Sequence, residues 1–332
     1  MPLLKVMLST ACERGCLYCA FRAGSNCCRI TFKPDELARA FLAVQRARVV
    51  DGLFLSSGIL RGGANTQNRL LDTVEIVRRA GFRGYLHLKI MPGAERGQVL
   101  RAMELADRVS VNLEAPTPER LQRLAPEKEF RDELLAPLRW VEEARRENPA
   151  RRVGRDRWPS STTQFVVGPA GESDLEILST TAWLMRQLRL ARCYFMAFTP
   201  VEGTPLENHP AEDPLREHRL YQASFLLQTY GFDLEDLPFG SDGRLPLAED
   251  PKTAYARARL SEAPVEVNRA ERGELLRVPG IGPRSAEAIL RARRLGRLRE
   301  LQDLRRLGVV SQRAAPFITL DGRQPSGQLR LF

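Results

Sequence analysis

Cys12, Cys16 and Cys19 are spaced C-x3-C-x2-C within eight residues. Thiolates are soft ligands, and a loop carrying three of them can wrap one soft metal centre. They are also the usual protein ligands of iron–sulfur clusters. Three thiolates on a four-iron cubane leave one iron open to a ligand that is not protein. The competing chemistry is a four-cysteine zinc knot completed by Cys27 or Cys28. Such knots usually pair two C-x2-C hooks, and here there is one.

The elements that must position these thiols follow from hydrophobic pattern. An apolar run reads as a strand over residues 3–9, directly before the cysteine loop. Further strands are predicted over residues 53–56, 85–90, 108–113, 163–167 and 193–198. Helices are predicted between and after them, over 33–50, 68–79, 94–105, 117–124, 128–147, 173–190 and 213–230. Six strand–helix units imply a parallel sheet with right-handed crossovers. An open doubly wound sheet is the alternative, but no G-x-G-x-x-G follows the first strand. In barrels of this kind the chemistry sits where strands end.

The cysteine spacing just after a first strand, with an aromatic, Tyr18, before the third cysteine, resembles the radical S-adenosylmethionine (radical SAM) superfamily. That resemblance implies an α/β fold with a partial (β/α)6 TIM-like barrel. It implies a [4Fe-4S] cluster on Cys12, Cys16 and Cys19, with SAM on the open iron. It also implies reductive cleavage to a 5'-deoxyadenosyl radical and an electron donor such as flavodoxin or ferredoxin. The carried-over cofactor contacts are Tyr18, then Ser57 and Gly58 after strand two, where one Gly stands in place of Gly-Gly-Glu. Asn112 and Glu114 follow strand four, either as SAM contacts or as a helix-capping loop. Gln164 and Gly168 lie on strand five, with Glu172 four residues on, in the segment that supports adenine. Arg61-Gly62-Gly63 reads as a flexible loop and Thr199–Pro205 as a barrel-closing turn. Arg29 is a candidate for the SAM carboxylate. His87 and Lys89 share one strand face and would line a barrel interior, where an unpaired lysine is costly and must find a carboxylate or ligand. Cys27, Cys28 and Cys193 leave a second cluster open, and Tyr194, Cys193 and Cys27 are candidate hydrogen donors.

At 332 residues, with 43% hydrophobic and 28% charged content, the chain fits one large domain and a small one. No apolar run approaches the roughly 20 residues that span a membrane. Six cysteines with no signal-peptide layout point to the cytosol and a metal site rather than a disulfide framework. The net charge is +10, and residues 257–332 hold 16 Arg, no Lys and 8 Asp+Glu. That asymmetry suits a polyanion. Within this stretch Leu275–Ala286 reads helix, Gly-x-Gly turn, helix, and resembles the helix-hairpin-helix DNA-binding family. Gly280, Gly282, Arg277, Arg284 and Ser285 are its candidate DNA contacts, through amides at a helix start that suit phosphate. A second, degenerate half follows over residues 301–317. Gln328, Leu329, Leu331 and Phe332 resemble a peptide that binds the bacterial sliding clamp.

Together with Gly52–Gly58, Asp250-Pro251-Lys252 and Asn268-Arg269-Ala270, these features resemble a family of DNA modification or repair radical SAM proteins. The expected organisation is a barrel over 1–235 and a connector packed on it over 236–263. A small all-α helix-hairpin-helix domain follows over 264–320, then a tail over 321–332. The expected activity is radical modification or repair of a nucleotide in DNA. A tRNA-modifying radical enzyme and a non-catalytic iron–sulfur sensor of DNA damage are the alternatives.

Overall fold

The computed structural model describes residues 1–149 and 158–325. They divide into two compact units, Met1–Glu172 with Trp183–Asp213, and Ser173–Ala182 with Pro214 onward.

The first unit alternates β1 (Leu3–Met7), α1 (Pro34–Arg46), β2 (Gly52–Ser56), α2 (Gly63–Arg79), β3 (Tyr85–Lys89), α3 (Arg96–Leu105), β4 (Arg108–Ser110), α4 (Pro118–Gln122), α5 (Ala136–Glu147), β5 (Ser160–Val167), α6 (Asp174–Gln187) and β6 (Arg192–Ala197), the unit boundary falling within α6. All six strands are parallel, in the order β1-β2-β3-β4-β5-β6. This is the expected partial (β/α)6 barrel, a curled half-barrel in which the strand order never reverses.

Register explains the layering. Residues paired across parallel strands point to the same side. One row runs Leu4, Leu53, Leu86 and a second Val6, Leu55, Leu88, Val109. Leu53, Leu55, Leu86, Leu88 and Val109 are buried, as are Phe41 of α1 and Val74 of α2. The alternate rows face the concave side and, Phe54 apart, are polar: Lys5, Phe54, His87, Arg108 and Ser160, then Lys89, Ser110, Thr162 and Arg192. Burial, with Lys89, Arg108 and Lys5 adding to it, pulls the His87 imidazole down to about 3. A group held below its unfolded value supports stability above that value and loses it as pH falls. Between pH 6.5 and 3 the wild type should therefore lose up to about 1.4 kcal/mol per pH unit that a His87→Gln variant keeps. Chemical denaturation at stepped pH reads the difference.

Three of the boundaries that differ from the pattern-based ones bear on the site. β4 ends at Ser110, and beyond it the amides of Val111 and Glu114 each donate a single bond to β5, the latter residue at φ 65° in an isolated bridge to Phe165. α2 begins at Gly63, so the expected flexible loop is a helix start. The predicted helix over 128–147 opens as a π turn, Phe130–Leu135, ahead of Pro137, which has no N–H to donate.

The second unit holds α7 (Pro214–Thr229), α8 (Pro251–Arg259), β7 (Val265–Glu266), α9 (Arg272–Arg277), α10 (Pro283–Ala292), α11 (Leu301–Arg306), α12 (Ser311–Ala314) and β8 (Ile318–Thr319). The short parallel β7–β8 ladder is an addition to the helices expected there. Its core gathers Leu275, Leu276, Ile281, Ile289, Leu304, Val309 and Ile318. Among the described residues no helix is long and apolar enough to cross a membrane.

Candidate functional site

The cysteine loop is a closed structure. It leaves β1 at a neck where Ser9 and Thr31 bond through their hydroxyls at 2.7 Å, and Thr10 and Ile30 join backbones at 2.9 Å. Inside it the Arg29 guanidinium donates to the carbonyls of Thr10, Phe21 and Arg22 at 2.9, 2.8 and 2.7 Å. Arg29 therefore winds the loop and is committed to backbone oxygens, which corrects its assignment to a SAM carboxylate.

Distant segments fix the loop from two sides. The Gly15 amide donates to Glu127 at 2.8 Å, Arg14 donates to the Glu127 carbonyl at 2.6 Å and to Glu133 at 2.5 Å, and Leu17 N–H meets the Leu124 carbonyl at 2.8 Å. On the other side Gly58 N–H donates to Ser9 at 2.7 Å and Ile59 N–H to the Cys12 sulfur at 3.4 Å. A Cβ on Gly58 would lie 2.3 Å from the Ala11 carbonyl oxygen. Gly58→Ala should thus displace the loop and cost roughly 1–3 kcal/mol, as overpacking does elsewhere, visible as a lowered melting temperature.

A cavity of about 170 Å³ opens at the ends of the strands. Cys12, Cys16, Cys19, Tyr18, Ser57, Gly58, Asn112 and Glu114 all line it, together with Lys89 and Lys128. Gln164 and Gly168 are not among its lining residues: the Gln164 amide reaches Met196, and the space beside Gly168 is taken by Glu212. The Gly168 amide donates to Glu172 at 2.5 Å. Cys27 accepts from Ser25, Cys28 is exposed, and Cys193 is buried on β6.

The cavity's charges are ordered. Glu114 is 5% exposed and Lys128 7%, and they pair at 3.0 Å. Burial alone would raise the Glu114 carboxyl, but Lys128 and Lys89 reverse that and hold it below the usual carboxylate range. Burial alone would lower Lys128, but Glu114 and the Cys16 sulfur hold it above the usual amine range. Lys89 finds no carboxylate: it donates to the Asn112 side-chain oxygen, and burial, against the pull of Glu114, brings its ammonium down to about 8. Burial pushes the Cys16 and Cys19 thiols up, Lys128 pulling against it at both. Lys128, Glu127 and Glu133 were not legible as site residues, since nothing local ties them to a loop more than a hundred residues earlier.

Two buried polar atoms on the cavity wall, Ser57 Oγ and Glu114 Oε2, have no hydrogen-bond partner among the described residues. A buried polar atom without a protein partner calls for water, an ion or a ligand, and these two sit on the wall where a bound group could supply it. Among the described residues no three His, Cys, Asp or Glu groups converge on a point as a single metal ion requires. The three thiols line one cavity, and thiolates are the usual protein ligands of iron–sulfur clusters.

In the second unit the α9–α10 and α11–α12 turns are cross-linked. Val310 N–H donates to the Gly280 carbonyl at 3.0 Å and Ser285 to the Gly308 carbonyl at 2.9 Å. Gly280 has φ 84°, and a Cβ there would meet the Val310 oxygen at 2.4 Å, so only glycine fits. Gly282 caps α10 without a side chain, and Arg284 is exposed beside it. Arg277, by contrast, pairs with Asp236 at 2.8 Å and stacks on Phe232, and Ser285 is buried in the turn contact. Lys252 is buried under the same turn, donating to the Ile281 carbonyl at 2.6 Å. The peptide Gln328, Leu329, Leu331 and Phe332 lies outside the described residues.

No protein-family model matches this chain, and no curated protein matches it in sequence. Solved structures do match in fold. The FeFe-hydrogenase maturase HydG from Carboxydothermus hydrogenoformans aligns with TM-score 0.53 and 14% identity, over 68% of this chain and 51% of that one. Methylornithine synthase, PylB, aligns with TM-score 0.54 and 17% identity, over 68% of this chain and 61% of that one. The chain thus spans between half and two thirds of these proteins, and at such identities the likeness is one of fold.

Proposed function

We propose that the first unit is a radical SAM domain, and that the chain modifies or repairs a nucleotide in DNA. The observation that carries the first part is the cavity itself: three thiols and two partnerless buried polar atoms meet at the ends of parallel strands. When bound, a [4Fe-4S] cluster and SAM supply an electron, sulfonium cleavage and hydrogen abstraction by a 5'-deoxyadenosyl radical. Cys12, Cys16 and Cys19 hold the cluster. Ser57 and Glu114 offer hydrogen-bonding groups to SAM, with Tyr18, Gly58 and Asn112 around them. Gln164 of β5 and Gly168 just after it lie outside the cavity lining and do not belong to this set. The fold shared with HydG and PylB supports this reading.

The DNA part rests on the second unit, read as a helix-hairpin-helix module over 264–320. Gly280, Gly282 and Arg284 present amides and charge to a phosphate backbone, contacts that position without reading sequence. Arg277 and Ser285 support the turn. Sixteen arginines against eight acids in residues 257–332 favour a polyanion. A base must leave its stack to react, so single-stranded or flipped nucleotides are the substrate form. The tail peptide adds the sliding clamp as a partner, and flavodoxin or ferredoxin the electron.

Anaerobic reconstitution with iron and sulfide, then SAM and a reductant, tests both parts. The expected result is 5'-deoxyadenosine, with more of it, and a mass change in a nucleoside, when single-stranded or duplex DNA is added. A protein that takes up no iron and sulfide overturns the radical reading. A response to tRNA and none to DNA overturns the substrate.

A further inference from the structure

The concave rows of the half-barrel carry an unbalanced charge. The strand residues facing that side include Lys5, Lys89 and Arg108, and no Asp or Glu. Two carboxylates lie near by, and both are engaged: Glu114 with Lys128 at 3.0 Å, and Asp107 with Arg78 at 3.2 Å. The partners of the central cations are neutral. Lys89 bonds the Asn112 amide oxygen, and Arg108 bonds Ser160 Oγ at 2.9 Å and Tyr194 Oη at 3.2 Å. Arg78, Arg79, Arg101 and Arg216 pair with acids, whereas among the described residues Lys89 and Arg108 have no carboxylate at ion-pair distance.

The face is also open. Tyr85, His87, Arg108, Gln164 and Tyr194 are all partly exposed, and Met196 is 42% exposed, where Leu53, Leu55, Leu86, Leu88 and Val109 of the convex rows are buried. Side chains that filled the barrel would have buried them. The field of the cations is felt within this space: after burial, Lys89, Arg108 and Lys5 are what keep a proton off His87, whose Nε2 lies 2.8 Å from Ser110 Oγ.

We propose that the concave face of the half-barrel binds the substrate through an anionic group, a phosphate, seated between Lys89 and Arg108. This deepens the nucleotide reading given above and rests on it for the identity of the substrate. A nucleotide enters with its phosphate held on the sheet, and a free nucleoside or base lacks the group that the face is charged to receive. The seat uses two donors of different kind. Arg108 offers a planar fork suited to two phosphate oxygens, and Lys89 a single point charge on the cavity wall. Partial burial in a low-dielectric wall strengthens both interactions over their value in water.

His87 supplies the readout, because an anion seated beside those cations cancels the field acting on it. The full chain, without cluster or SAM, is titrated by NMR on its three histidines, His87 being assigned with His87→Gln. Probes are inorganic phosphate and a 2'-deoxynucleoside 5'-monophosphate, against the matching nucleoside and against sodium chloride at equal ionic strength. The expected result is a rise in the His87 midpoint with phosphate and nucleotide, and none with nucleoside. Lys89→Gln and Arg108→Gln should each weaken the nucleotide at least tenfold, while Arg108→Lys restores part of the loss. An unmoved His87, an equal rise with chloride, or equal binding of nucleoside and nucleotide overturns the inference. The wild-type titration decides this even if a variant fails to fold. Absence of 5'-deoxyadenosine after reconstitution is a separate result, which overturns the radical reading and leaves the phosphate seat standing.

Discussion

Cys16→Ser is expected to give a folded, colourless chain that binds little iron and sulfide and cleaves SAM no faster than buffer. Of the three thiols Cys16 is the most buried, at 8% exposure, and it is held from both flanks: Gly15 by Glu127 and Leu17 by the Leu124 carbonyl. That backbone clamp does not involve the sulfur, so the loop keeps its shape when the sulfur is removed. A serine hydroxyl in the same place does not ionise at neutral pH and is a hard donor where a soft one is needed. Cys27→Ser and Cys28→Ser, at positions that do not line the cavity, should keep iron, colour and SAM cleavage. Iron and sulfide content with the visible spectrum after anaerobic reconstitution decides the matter. A Cys16→Ser protein that loads like wild type would remove the basis of the radical reading, and loss of iron in Cys28→Ser would return a fourth cysteine ligand to consideration.

The contrast between those cysteines shows what a sequence discloses. The C-x3-C-x2-C spacing is local, and so are the strand before it and the alternation of elements after it. The half-barrel, and the three thiols that line its cavity, were therefore legible. Ser57, Asn112 and Glu114 could be found as well, since a parallel sheet brings strand ends together whatever the loops do. What holds the loop in place was not legible. Glu127 reaches Gly15 across 112 residues, and Glu133 reaches Arg14 across 119. No periodicity encodes such a pair. Arg29 misled for the opposite reason: an arginine near three cysteines looks like a ligand contact, yet the loop's own carbonyls needed a donor and took it. Arg277 did the same in the second unit, where Asp236 and Phe232 claim a side chain that charge pattern had assigned to DNA.

The largest stability effect is expected at Glu114, the residue whose backbone departs furthest from the pattern. Its φ is 65°, it bridges to Phe165 beyond the end of β4, and its side chain lines the cavity. There it meets Lys128, and both partners are almost fully buried. Glu114→Gln keeps the volume and the backbone strain but removes the charge, leaving the Lys128 ammonium in the wall without its carboxylate. Breaking one side of a buried pair typically costs about 3–5 kcal/mol, and Lys89 close by adds repulsion that Glu114 now offsets. The double variant Glu114→Gln with Lys128→Met removes both charges and should recover most of that loss, because a buried pair exchanged for neutral groups of similar size is often near neutral. The pH dependence separates charge from packing. Glu114 is held below the usual carboxylate range, so its support is full at neutral pH and fades as acid protonates it. The gap between wild type and Glu114→Gln should accordingly be widest at pH 7 and close as pH falls below the range of an ordinary glutamate. Equal stability of the two proteins at pH 7 would mean that the carboxylate contributes nothing through Lys128, and that its place on the cavity wall must be explained by a ligand alone.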